Sequence, residues 1–200
     1  MKAIVSIAYD GPALSEKSMD VKDLAPALLS MGELLEEANA TLNGDESRLA
    51  VTVKAGFEVG SFEIVLELVQ RISETVKFFL VNKAPFTPSD IAAIVGLLSG
   101  GGVSVIGLIK WLRGRPIKRA TVIKNGNIKI ETDNDFDSIE VSEQTVRLFR
   151  NPKVRKGIYD TLAPLENDGV EQFSVKERKK EIQTIKKNRT LVFYPPGSPR

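Results

Sequence analysis

Apolar positions in this chain recur first at every second residue and then at every third or fourth. Ala3, Val5, Ile7 and Tyr9 alternate with Ile4, Ser6 and Ala8, which predicts a strand apolar on both faces and closed by the Asp10–Gly11 turn. Over residues 22–42 the period lengthens. Leu24, Leu28, Met31, Leu35, Ala38 and Leu42 fall on one stripe of a helix. Asp20 or Asp23 can cap its start, which places Pro26 in the first turn, and Asn43–Gly44 stops it. Alternation returns at 51–55 and 62–68, two strands at hairpin distance across 56–60. A short helix is predicted over 72–81, before a breaker-rich stretch at 83–88.

The second half follows the same logic. Residues 117–123 and 128–131 read as strands joined at Asn125–Gly126, a strong hairpin signal. Ser142 and Asn151 read as caps of two short helices, with Pro152 at the first position of the second. A strand over 170–175, a basic helix over 176–188 and an apolar stretch at 191–194 complete the chain. The predicted class is α+β: small antiparallel or mixed sheets packed with helices, with a hydrophobic, Gly-rich helical hairpin or membrane segment inserted mid-chain. Three regions result: an N-terminal α/β region at 1–83, the hydrophobic segment with its basic flank at 84–115, and a basic α/β region at 116–200.

The inserted segment, IAAIVGLLSGGGVSVIGLI, runs nineteen residues from Ile91 to Ile109 without a charge. As one helix it would be about 28 Å long, close to the ~30 Å hydrocarbon core of a bilayer. Its strongly apolar residues are Ile91, Ile94, Val95, Leu97, Leu98, Val103, Val105, Ile106, Leu108 and Ile109. Together they would favour insertion by about 3–6 kcal/mol. The glycines and serines oppose this, so a lone helix stands near the threshold. Gly96, Gly100 and Ser104 repeat at every fourth residue, the small-xxx-small pattern by which membrane helices approach closely. Lys110, Trp111, Arg113, Arg115, Lys118 and Arg119 follow at once, a basic and aromatic flank suited to anionic headgroups. In water the same stretch reads differently, as a buried helical hairpin capped at Ser89 or Asp90 and returning over 103–112. It would break at 100–102, because three glycines inside a helix cost about 3 kcal/mol. Both readings stay open at this point.

Composition bears on function mainly by exclusion. The 200 residues include no His and no Cys, which removes Ser-His-Asp triads, cysteine nucleophiles, ordinary zinc sites and disulfides. Neither a P-loop nor a dinucleotide fingerprint is present. Asp133, Asp135 and Asp137 occupy positions 1, 3 and 5 of a calcium-loop pattern, but Ser138 stands where Gly is needed and Gln144 where Glu is needed. That stretch reads as a polar turn between strands. No metal, cofactor or catalytic residue is expected.

The net charge of +2 hides a split: residues 1–90 carry −6 and residues 91–200 carry +8. Such asymmetry suits head-to-tail contacts between copies, or contact of the second half with an anionic membrane surface. The run KERKKEIQTIKKNR at 176–189 carries no recognised nucleic-acid motif and has aromatics only at its margins, so nucleic acid is not an expected partner. The N-terminal MKAIVSIAYDG lacks the apolar core and cleavage site of a signal peptide. The expected location is cytoplasmic, with conditional association to the inner membrane.

The stretch IVGLLSGGGVSVIGLIKWLRGR inside a small α/β body resembles small bacterial phage-defence proteins that assemble into membrane-disrupting pores. The resemblance covers roughly residues 88–115. It implies a non-enzymatic effector that self-assembles and perforates a membrane, with a ring-shaped phage assembly as the trigger in some members. The other reading is a soluble structural or adaptor protein, prophage-encoded, whose glycine hairpin is an oligomer interface.

Overall fold

Alternating apolar residues at the start of the chain form the middle of a sheet. The structure is a computed structural model that describes residues 1–16, 18–44, 47–54, 62–72, 84–133, 137–177 and 180–193. In chain order the strands are β1 (Lys2–Asp10), β2 (Ser47–Lys54), β3 (Phe62–Ile72), β4 (Ile117–Val122), β5 (Ile128–Thr132), β6 (Ser138–Val141), β7 (Gln172–Glu177) and β8 (Lys180–Lys186). The helices are α1 (Val21–Asn43), α2 (Pro88–Val95), α3 (Val105–Leu112), α4 (Glu143–Arg150) and α5 (Pro152–Thr161). The fold is α+β with two antiparallel sheets, one of order β2-β3-β1-β7-β8 and one of order β4-β5-β6.

The central place of β1 explains its pattern. Val5, Ile7 and Tyr9 are wholly buried against the helices, and Ala8 on the opposite face is buried as well. On that second face, Lys176 of β7 and Glu63 of β3 form an ion pair of 3.1 Å with both side chains largely covered. Lys176 lies opposite Ser6 and Glu63 opposite Ala8, so the pair reaches across β1 where its side chains are small. The Tyr9 hydroxyl donates to the Thr161 carbonyl at 2.7 Å and ties β1 to α5. Burial pushes its phenol well above the ordinary range.

Helix α1 buries Ala27, Met31, Leu34, Leu35, Ala38 and Leu42, with Leu24 and Leu28 partly covered. Asp20 is its cap, its side chain accepting from the Lys22 N–H. Pro26 therefore sits in the second turn rather than the first. It is tolerated there because Lys22, whose carbonyl loses its helical donor, is exposed. Ser142 and Asn151 cap α4 and α5 as their sequence positions predict, with Pro152 opening α5. Asn125–Gly126 turns β4 into β5, Gly126 at φ +79°.

One sequence expectation changes. The basic run at 176–188 is no helix: β7 continues to Glu177, and Lys180–Lys186 returns beside it as β8. Pairing with β7 outweighs helix propensity, and it places Ile185 opposite Phe173, both buried. Strand β3 extends through Ile72, where the short helix over 72–81 was expected to start; residues 73–83 and the turn at 56–60 lie outside the described residues. The regions at 1–83 and 116–200 also share one sheet, because β1 pairs with β3 on one edge and β7 on the other.

Two glycines in helices report how closely those helices pack. Adding a Cβ at Gly157 of α5 would bring it within 2.8 Å of Leu34 Cβ in α1, whereas nothing lies within 4 Å of a Cβ at Gly32 of α1. Gly157→Ala is expected to lower unfolding stability by about 1–3 kcal/mol through overpacking. Gly32→Ala is expected to raise it by about 0.5–1 kcal/mol. Urea denaturation of the two variants checks the opposite signs.

Candidate functional site

The uncharged segment is divided. Thr87 caps α2, its hydroxyl accepting from Asp90 N–H while the Asp90 carboxylate accepts from Thr87 N–H. Gly96 ends α2 at φ +112°, and the Ser104 hydroxyl begins α3 by accepting from Gly107 N–H. Among the described residues no helix is long and apolar enough to cross a membrane.

Gly96, Gly100 and Ser104 therefore do not share a helix face. A Cβ on Gly96 would meet Ser104 Oγ at 2.7 Å, and one on Gly100 would meet Ala93 Cβ at 3.1 Å. Their smallness lets the segment approach itself, not another helix. The turn arises because Gly96 supplies the left-handed conformation and Ser104 supplies an N-cap, both of which a continuous helix would waste.

Most of the expected insertion residues lie inside the protein. Ile91, Val95, Val105, Ile106 and Ile109 are buried in the main core, and Ile94 and Leu98 pack against it. Leu108 and Leu112 turn instead to a second cluster with Ile130 of β5 and Val141 of β6, against which Val103 packs. Helix α3 is thus apolar on two adjacent stripes because it is shared between the two sheets. Thr145 fixes its approach by donating to the Val103 carbonyl at 2.9 Å.

The basic flank separates into three groups. Arg115 is used internally: it pairs with Asp137, donates to the Leu112 and Trp111 carbonyls, and stacks over the Trp111 ring at 5.1 Å. Lys118 and Arg119 lie exposed on β4, Arg119 being 3.9 Å from Glu131. The Glu131 carboxyl is held below its usual range, first by the hydrogen bond from Lys129. Lys110, Trp111 and Arg113 form the third group.

That third group lines a pocket of about 510 Å³ together with Thr184 and Ile185 of β8 and Asn188, Arg189, Val192 and Phe193 of the final 3₁₀ turn. Lys110 Nζ donates to Gln183 Oε1 at 2.8 Å and to the Thr184 carbonyl at 3.2 Å, so its charge meets only neutral acceptors. Burial lowers its pKa, and the Arg189 charge adds to that. Arg189, some seventy-nine residues further along the chain, is the part of this site that sequence spacing does not reveal. The strand pairing of β7 and β8 brings it there.

A wider groove of about 1090 Å³ opens beside the connection from α2 to α3, between Gly100–Gly102 and β6, with Asn127 and Glu140 on its far side. Its Asp90 carboxylate is committed to Thr87. Of the proposed calcium pattern, Asp137 is engaged by Arg115, and residues 134–136 lie outside the described residues. Among the described residues no cluster of three or more potential ligands forms a metal site.

Comparisons with protein-family models, with curated proteins and with solved structures return no match to this chain.

The two arrangements of the apolar segment predict opposite responses. In a continuous helix Gly96→Ala would stabilise by about 1 kcal/mol. In the observed turn it is expected to destabilise by about 1–3 kcal/mol, from the positive φ and the contact with Ser104. Ser104→Ala is expected to cost about 1 kcal/mol as a lost N-cap. Equilibrium unfolding of both variants gives the answer.

Proposed function

We propose that this protein is a non-catalytic, self-associating protein that docks as a folded body on an anionic membrane surface through its basic second half. The observation that supports this is a division of labour within residues 91–119. The apolar positions are enclosed by the protein's own fold, while Arg113, Lys118 and Arg119 are exposed and Lys110 is half-buried beside them. Lysine and arginine close to an anionic membrane each contribute about 1 kcal/mol of attraction. The net charge of −6 over residues 1–90 against +8 over residues 91–200 supports association between copies on that surface, acidic side chains of one meeting basic side chains of the next.

Magnitudes favour docking over insertion. Ile91, Val95, Leu97, Val105, Ile106, Leu108, Ile109 and Leu112 are each at most 5% exposed. Taking one such side chain out of a packed core costs about 2–5 kcal/mol. Removing all eight exceeds the whole stability of an ordinary domain, about 5–15 kcal/mol. The bilayer returns about 3–6 kcal/mol for the apolar residues of the segment. Perforation would therefore require the protein to unfold first.

Co-sedimentation with vesicles tests this reading. Binding is expected to vesicles containing phosphatidylglycerol, to be absent with phosphatidylcholine alone, to weaken as salt rises, and to proceed without release of an entrapped dye. Binding to neither vesicle overturns the proposal, and dye release at low protein concentration replaces docking with perforation.

A further inference from the structure

We infer that the pocket between the end of α3, β8 and the final 3₁₀ turn is a binding site for an organic phosphate. Lys110, Arg113 and Arg189 would hold the phosphate, and Trp111, Ile185 and Phe193 would meet the organic part. This site supplies a ligand class for the docking surface proposed above and rests on that reading only where the phosphate belongs to a lipid.

The lining is chemically one-sided. Three cations surround the pocket and no carboxylate lines it. Among the described residues the guanidinium groups of Arg113 and Arg189 form no hydrogen bond or ion pair. Lys110 uses its amine on two neutral acceptors and has donor capacity left. Burial and the nearby Arg189 charge disfavour the protonated Lys110 amine, and an incoming dianion offsets both. Guanidinium forks match phosphate oxygens two at a time, and lysine adds a point charge.

Helix capping does not account for the cluster. The Trp111 and Leu112 carbonyls at the end of α3 already accept from Arg115. Arg113 adopts φ +51° at the C-cap, a conformation that usually selects glycine, although Gly114 stands next to it. A large cationic side chain is therefore kept at a position where the backbone alone would favour none. The pocket is also larger than a bare phosphate needs. At about 510 Å³ it falls within the range of small-molecule sites, roughly 300–1,000 Å³, and Trp111, Ile185, Val192 and Phe193 give its lining apolar surface.

Trp111 is the chain's single tryptophan, so its fluorescence reports this pocket directly. The full-length protein is titrated with glycerol 3-phosphate and, separately, with vesicles of phosphatidic acid or of phosphatidylserine at matched total charge. A saturable change in Trp111 emission with glycerol 3-phosphate is expected. Arg113→Gln and Arg189→Gln should each weaken it by about tenfold or more, whereas Arg48→Gln, exposed on β2 at the sheet edge opposite β8, should not. A preference for phosphatidic acid vesicles that the same two substitutions abolish assigns the phosphate to a lipid. Response to glycerol 3-phosphate with no vesicle binding assigns it to a soluble ester, and then the pocket stands while membrane docking fails. No emission change or binding heat with glycerol 3-phosphate up to millimolar concentration, or a change that Arg113→Gln and Arg189→Gln leave intact, overturns the inference. Vesicle binding that persists unchanged in both variants leaves docking in place without this pocket.

Discussion

Helix α3 has to satisfy two sheets at once, and much of the architecture follows from that demand. Val105, Ile106 and Ile109 complete the core over the five-stranded sheet, while Leu108 and Leu112 complete the smaller core under β5 and β6. An eight-residue helix with apolar side chains on two stripes has little perimeter left for charge. Only Lys110 interrupts it, and that amine reaches outward to β8. The absence of charge over 105–109 is thus a consequence of double burial, and over 91–98 of packing against the main core. A bilayer would impose the same composition, and hydropathy alone cannot tell the two environments apart.

What can tell them apart is the punctuation. Thr87, Gly96 and Ser104 are a cap, a stop and a second cap, whereas the sequence pointed to Ser89 or Asp90 as the first cap, to 100–102 as the break, and to Gly96 and Ser104 as a helix contact. The same local chemistry made Asp20, Ser142, Asn151–Pro152 and Asn125–Gly126 readable, because a cap or a tight turn depends on neighbours a few residues away. Long-range pairing left no such mark. The run at 176–188 alternates lysines with glutamates in a way that suits a helix surface, and its strand identity is decided by β7 and by the burial of one residue, Ile185. The convergence of Lys110 and Arg189 depends on that same pairing and was equally hidden.

Charge along α3 and beyond it is sorted by geometry rather than by proximity in sequence. Arg115 is spent on Asp137, two carbonyls and the Trp111 ring, whereas Arg113, two residues earlier at φ +51°, lines the pocket. Two neighbouring basic residues thus divide into one that braces the fold and one that is exposed. An anionic surface would meet only the second kind. A count of basic residues overstates the charge the protein can offer, and the burial of the apolar residues beneath means that offering it requires no rearrangement.

The placement of β1 has a kinetic side. This strand is made before either of its neighbours, and they appear at very different times: β3 soon after, and β7 only when Gln172 is available to face Asp10. At ribosomal speeds of about 5–20 residues per second, the intervening roughly 160 residues take on the order of ten seconds or more. Throughout that interval the edge of β1 over residues 6–10 lacks the partner that β7 supplies and is a template for any passing strand. The nascent chain is most vulnerable to mispairing before β7 emerges, and factors that shield strand edges during translation would act on it within that window.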